Sequence, residues 1–217
     1  KEIIKPLLRG RDIKRYSYDF KNLYLINTHN GIKEKNILPI DINKYSAIKK
    51  HLDKYYSDLE VRQDKGITPY NLRNCAYLEE FDKPKIIYAE TTISPNFYYD
   101  NENFIAEKTN FIMTGENLKY IMAVLSSKLG FYIFYNFYSE ITLGDVGFQY
   151  RKSSLEEFPI PEVDKKTEKE IVNLVEKVIE GKKKWIDTRE FEVEIDKIVY
   201  GLYNLNENEI KIIEGKD

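Results

Sequence analysis

The sequence has one cysteine, Cys75, and two histidines, His29 and His51, in 217 residues. A single cysteine excludes a disulfide framework and a cysteine-based zinc site within the chain, and it suits a reducing cytoplasm. Two separated histidines exclude a histidine-rich metal site, so no bound metal is expected. Cys75 reads as a small buried hydrophobe, His29 as a turn residue and His51 as a structural neighbour of a helical stripe. Long apolar runs are also missing. The longest apolar patch, residues 120–138, is broken by Ser126, Ser127, Lys128, Gly130 and Asn136. It falls short of the roughly 20 apolar residues a membrane span needs, and no signal peptide is visible. A cytoplasmic protein without a membrane partner is the expectation. Charge of one sign is lacking as well. The net charge is -2 with 32% charged residues. Global charge therefore does not mark a nucleic-acid binder, and only a local basic face could do so. The first residue is Lys1 rather than Met, which reads as a piece excised from a longer protein.

Catalytic motifs are absent. There is no Gly-x-Ser-x-Gly, no Gly-rich loop ending in Lys-Ser/Thr, no His-Glu-x-x-His and no Cys-x-x-Cys. The Asn/Asp-Pro-Pro-Tyr/Phe tetrapeptide of an adenine methyltransferase is not supplied by Thr68-Pro69-Tyr70 or by Ser94-Pro95-Asn96-Phe97. No catalytic residue is assigned, and this chain by itself reads as a non-enzyme.

What the chain does have is a strand running into a polar, aromatic loop at residues 83–100. Ile86-Ile87-Tyr88 has the length and residue types of a buried strand. Thr92, Ser94 and Asn96 follow as small polar groups, and Phe97, Tyr98 and Tyr99 add aromatic faces. A rigid strand that leads into such a loop is a way to present a binding surface. Lys83 and Lys85 stand just before the strand.

Other segments share this texture. Arg9, Arg11, Lys14 and Arg15 cluster around Gly10 and precede Tyr16 and Tyr18. Basic groups interleaved with aromatics suit phosphate and base contacts, or they form a solvated turn. Residues 60–73 carry Arg62, Gln63, Tyr70 and Arg73, side chains that read base edges or hold phosphates, or whose arginines pair with Glu60 and Asp64. Gln149, Arg151 and Lys152 follow a loop containing Gly144 and Gly147. Tyr24-Leu25-Ile26 predicts a strand closed by the tight turn Asn30-Gly31. Residues 41–59 predict a helix, with Tyr45, Ile48, Leu52, Tyr55, Tyr56 and Leu59 on one face. A core helix starts after Thr114-Gly115-Glu116-Asn117. Phe158-Pro159-Ile160-Pro161 is a stiff break and sets a boundary. Beyond it, residues 165–185 predict an amphipathic helix with Val175, Val178 and Trp185 on one face, and two more helices follow.

The ordered set of segments resembles the C-terminal target-recognition, or specificity, domain of TaqI-type DNA adenine-N6 methyltransferases and of fused type IIG restriction-modification enzymes. The matching strings run from Pro6-Leu7-Leu8-Arg9-Gly10-Arg11-Asp12-Ile13 through Leu59-Glu60-Val61-Arg62-Gln63-Asp64-Lys65-Gly66 and Leu72-Arg73. They continue through Lys83-Pro84-Lys85-Ile86-Ile87-Tyr88, Phe97-Tyr98-Tyr99-Asp100, Leu125-Ser126-Ser127-Lys128-Leu129 and Phe158-Pro159-Ile160-Pro161. The resemblance implies an α/β (α+β) fold, with a mixed or antiparallel sheet and packed helices. Residues 1–161 would be the target-recognition domain and residues 162–217 a helical appendage that acts as spacer or docking surface. It implies double-stranded DNA as partner. It also implies an N-terminal methyltransferase domain of the same polypeptide, absent from this chain, that binds S-adenosylmethionine and flips out the adenine.

Family members read different sites, so the contact residues rest on side-chain chemistry. Arg9, Arg11, Lys14, Arg15, Lys83, Lys85 and Lys152 are the candidates for phosphates. Arg62, Gln63, Tyr70, Arg73, Thr92, Ser94, Asn96, Gln149 and Arg151 are the candidates for base edges. The alternative readings are a protein-interaction module or a fragment of a type I-like specificity subunit.

Overall fold

The structure is a computed structural model describing residues 2–139 and 147–215. The first strands are β1 (Ile4–Leu8), β2 (Ile13–Lys14), β3 (Ser17–Tyr18) and β4 (Tyr24–Ile26). Helices α1 (Ser46–Leu52) and α2 (Tyr56–Val61) follow. Next come β5 (Lys85–Ala89), β6 (Thr91–Thr92), β7 (Phe97–Asp100), β8 (Ile105–Ala106) and β9 (Asn110–Met113). Helices α3 (Leu118–Ser126) and α4 (Lys128–Ile133), strand β10 (Phe148–Gln149) and helix α5 (Lys152–Glu156) lead to α6 (Lys165–Lys183), α7 (Arg189–Leu202) and α8 (Glu207–Glu214). This is the mixed α and β architecture with antiparallel pairing that the sequence predicts. No helix among the described residues is long and apolar enough to cross a membrane. Of the predicted glycine loop, Gly144 lies outside the described residues.

The chain forms two compact units, and they divide it at other points than the Pro159–Pro161 break. The first comprises residues 1–7, 22–83 and 103–105. In it β1 pairs antiparallel with β4, Ile4 opposite Ile26. The Asn30-Gly31 turn forms as read. Gly31 has φ +72°, and a Cβ there would stand 2.2 Å from the Ile37 carbonyl oxygen. Asn71 is buried, and its amide donates to the Ile40 carbonyl at 3.0 Å while its own carbonyl accepts from Gly66 N–H at 2.8 Å. The predicted helix over 41–59 differs from what forms. It is split into a 3-10 turn at Ile42–Lys44, α1, a second 3-10 turn at Asp53–Tyr55, and α2. Its apolar stripe is open, with Tyr55 50% and Tyr56 38% exposed.

The second unit comprises residues 8–21, 84–102 and 106–217. Its centre is a three-stranded antiparallel sheet in the order β7-β5-β9. All five residues of β5 are buried, which explains its continuous run of apolar β-formers. Lys85 is the exception to that chemistry. Its ammonium lies 2.6 Å from the Asp100 carboxylate, and both side chains are 0% exposed. The two residues stand opposite each other in the β5–β7 ladder. Lys85 is therefore a sheet residue, not a surface cation. An ammonium enclosed at this depth needs a carboxylate beside it to offset lost hydration.

Helix α3 packs on the sheet, α6 on α3, and α7 on α6. Ile86, Tyr88 and Phe97 share one buried cluster with Met122, Leu125, Val175, Val178, Ile195 and Val199. Residues on both sides of Pro161 thus build the same core. The α6 helix ends before Trp185, contrary to expectation. Trp185 N–H donates to the Lys182 carbonyl, and Ile186 N–H to the Gly181 carbonyl at 2.9 Å. Those two bonds are the Schellman ending, and Trp185 occupies its left-handed position with φ +59°. The turn rotates Trp185 away from the apolar face and leaves it 96% exposed.

Replacing Lys85 alone by methionine strands a buried carboxylate. The expected loss is about 3–5 kcal/mol of unfolding free energy, read by urea denaturation. Lys85→Met combined with Asp100→Leu should recover most of it, short of the hydrogen bond that Glu102 N–H donates to Asp100 at 2.8 Å.

Candidate nucleic-acid interface

The basic cluster around Gly10 is sorted by local geometry. Arg9 turns inward. Its backbone N–H and its guanidinium both donate to the Asp12 carboxylate, at 2.9–3.0 Å. Asp12 is buried, so this pair closes the 3-10 turn Gly10–Asp12. Burial pushes the Asp12 carboxyl up. The Arg9 side chain and backbone N–H outweigh that and hold it below its ordinary value. Gly10 fits because a Cβ would stand 3.1 Å from Thr109 Oγ1, which accepts a hydrogen bond from Gly10 N–H. The turn throws Arg11 outward. It is exposed and makes no side-chain hydrogen bond or ion pair among the described residues.

Lys14 and Arg15 divide in the same way. Strands β2 and β3 form a hairpin, Lys14 opposite Ser17, with Arg15 and Tyr16 at its tip. Tyr16 is fully buried, takes φ +61°, and donates its N–H to the Phe97 carbonyl at 2.9 Å. Arg15 reaches the Ser126 carbonyl at 2.8 Å and the Glu192 carboxylate at 2.5 Å. Burial pushes the Glu192 carboxyl up, but Lys182, Thr188 and Arg15 bring it below its ordinary value. Arg15 is thus an anchor between the hairpin and α7. Lys14 is exposed, and its ammonium rests on the Arg11 carbonyl at 2.9 Å.

Arg11 and Lys14 stand at one cleft of about 390 Å³ in the second unit. Its other walls are Ala89, Glu90, Thr91, Thr92, Ile93 and Asn96, with Thr109 beside Gly10. The loop after β5 is held by its own polar groups. Thr92 Oγ1 donates to the Ser94 carbonyl at 2.8 Å and accepts from Asn96 Nδ2 at 3.2 Å. Strand β10 braces it from the side, Phe148 opposite Thr92 and Gln149 opposite Thr91. Gly147 lies so close that a Cβ would sit 2.2 Å from the Thr92 carbonyl oxygen.

A family model, the TaqI-like C-terminal specificity domain, matches residues 5–160. The chain belongs to that family. The match ends at residue 160. A specificity domain carries a DNA-recognition role of the kind that methyltransferase and restriction-modification enzymes employ.

The remaining candidate residues of the specificity domain are spread more widely. In the second unit, Thr92 is buried and knots the loop, Ser94 is half-buried, and Gln149 and Arg151 are half-buried. Lys152 is exposed and pairs with Glu156 at 3.4 Å. In the first unit, Arg62 is turned onto the Asn71 carbonyl at 2.8 Å and braces the loop. Tyr70 donates to Asp53 at 2.5 Å. Gln63 is exposed, Arg73 pairs with Asp64 at 3.6 Å on the surface, and exposed Lys83 pairs with Glu80 at 2.6 Å. Arg9, Arg15, Arg62 and Lys85 therefore hold structure, against the expectation of contacts for all four. Glu90, Ile93 and Thr109 join the cleft without having been singled out. The position of Glu90, directly after a fully buried strand, was the available signal.

Asp12→Asn removes the charge that closes the Arg9 turn. It should cost about 1–3 kcal/mol at neutral pH. The Asp12 pKa is lowered in the folded state, so this contribution is fully present above 3.8 and is lost as pH falls through the lower folded value. Urea titrations of wild type and Asp12→Asn should therefore converge at acid pH. A difference that persists unchanged there would contradict the role given to the pair.

Proposed function

We propose that this chain reads a short double-stranded DNA sequence as the specificity domain of a DNA adenine-N6 methyltransferase, or of a fused type IIG restriction-modification enzyme. The methyl transfer belongs to a catalytic domain elsewhere in the same polypeptide, which binds S-adenosylmethionine and extrudes the adenine. This chain contributes position and sequence choice. The observation that carries the reading is the cleft itself: Arg11 and Lys14 at its rim, and Asn96, Glu90 and Thr91 within it.

The division of labour follows from the chemistry. An unpaired guanidinium and an ammonium suit phosphates or the guanine O6/N7 edge. Asn96 suits adenine N6/N7, and Glu90 can accept from cytosine N4. The exposed Gln63 and Arg73 of the first unit are further candidates for base edges. One observation favours a protein contact as a second role. Trp185 is 96% exposed on a left-handed turn, and Ile186 beside it is 58% exposed. Exposed tryptophans are frequent anchors of protein interfaces.

Fluorescence titration of a labelled duplex at several salt concentrations tests the reading. Affinity should fall linearly with salt on logarithmic axes. Arg11→Ala and Lys14→Ala should each flatten the slope by about 0.9 if each meets one phosphate. Asn96→Ala should relax the preference at one base pair by about 1–3 kcal/mol. Binding that ignores salt, or no binding to any duplex, would favour the protein-contact reading instead.

A further inference from the structure

We propose that Ile93 reads a thymine through its 5-methyl group. The inference rests on the DNA-recognition role just proposed and names one element of the sequence it selects. Ile93 is 68% exposed, although it sits among the polar and charged groups of the cleft. Among the described residues Ile93 belongs neither to the buried core nor to the side chains packed against it. Its backbone is nevertheless fixed. The flanking Thr92 and Ser94 are tied by the Thr92 Oγ1 bond to the Ser94 carbonyl at 2.8 Å. Asn96 N–H donates to that same carbonyl at 2.8 Å. Gly147 approaches from the side, and a Cβ there would stand 3.1 Å from Ile93 Cγ2. The loop thus holds an apolar group out toward solvent in one place.

The major-groove edges of the four bases offer acceptors, amino donors and a single apolar group, the thymine methyl. Arg11, Glu90 and Asn96 can serve the polar edges. Ile93 has no polar function to offer and matches only the methyl. Covering that methyl removes apolar surface from water on both partners. One buried carbon of this kind is worth ~4-fold in affinity.

The test uses deoxyuridine, which pairs like thymidine and lacks the methyl. Preferred duplexes are first selected from a random library with the 217-residue chain, and each thymidine is then replaced singly by deoxyuridine. At one position the replacement should weaken wild-type binding ~4-fold. Ile93→Ala should bind the thymidine duplex as weakly as wild type binds the deoxyuridine duplex, and should be indifferent to the replacement. Ile93 is exposed, so Ile93→Ala should unfold at the wild-type urea concentration, which separates this effect from misfolding. Selective binding with no penalty at any thymidine, a penalty that survives in Ile93→Ala, or a selected sequence lacking thymine would each overturn the Ile93 assignment and leave the DNA-reading role standing. Absence of any sequence preference would overturn both.

Discussion

The Lys85–Asp100 ion pair is a buried constraint on the central sheet of the second unit. It lies at 0% exposure inside the central sheet, where a charge without a partner is not tolerated. Because the two residues face each other across β5 and β7, the pair also fixes register. A shift by one residue would exchange the two faces of β5. Ile86 and Tyr88 would leave the helical core, and Lys85 would enter it. Register in turn decides where β5 ends. Ala89, Glu90 and Thr91 reach the cleft because Lys85 is held one strand length away. The position of the candidate site is therefore a consequence of a buried charge pair that never touches it.

The surface cations follow a related logic. The chain is close to neutral, so nucleic-acid affinity must come from a few cations left without a carboxylate. The segment around Gly10 sorts its cations into paired and exposed ones. Arg9 is bound by Asp12 and Arg15 by Glu192, and both bonds fix backbone. Arg11 lies between them on the outside of a turn that Arg9 and Asp12 close. Its freedom depends on its neighbours being bound. A count of basic residues overstates the site, because half of this cluster serves the scaffold that presents the other half.

How much of this was legible in the sequence depended on the range of the interaction. Strands at Tyr24–Ile26 and Lys85–Ala89 were readable because their signals are local runs and turn residues. The Arg9–Asp12 pair was readable in principle from its i,i+3 spacing. Lys85 was misread because its partner lies on another strand, and a lysine before an apolar run ordinarily stays in water. Trp185 was misread because the apolar period continues to it while the helix does not. The Schellman ending that expels it puts a bulky residue where glycine is usual. The helix over 41–59 has the right period, but the fold leaves its aromatic stripe half open, and period alone cannot report what covers a face. The DNA-recognition role was legible through the order of several weak motifs, which local physics does not predict.

In the loop after β5, most of the small polar groups are already bound within the loop. Thr92 spends its hydroxyl on Ser94 and Asn96, and Ser94 spends its carbonyl on Thr92 and Asn96. Those residues were attractive as base readers because they are small and polar, and the same property lets them hold the loop. What the loop then offers to the cleft is Glu90, the exposed Thr91, the exposed Ile93 and the half-buried Asn96. A surface ordered before binding loses less entropy when DNA arrives, and it rejects mismatched bases because it cannot easily rearrange to suit them. Sequence choice in such a domain would come from a handful of groups on a rigid loop, with the internal hydrogen bonds of that loop supplying the rigidity.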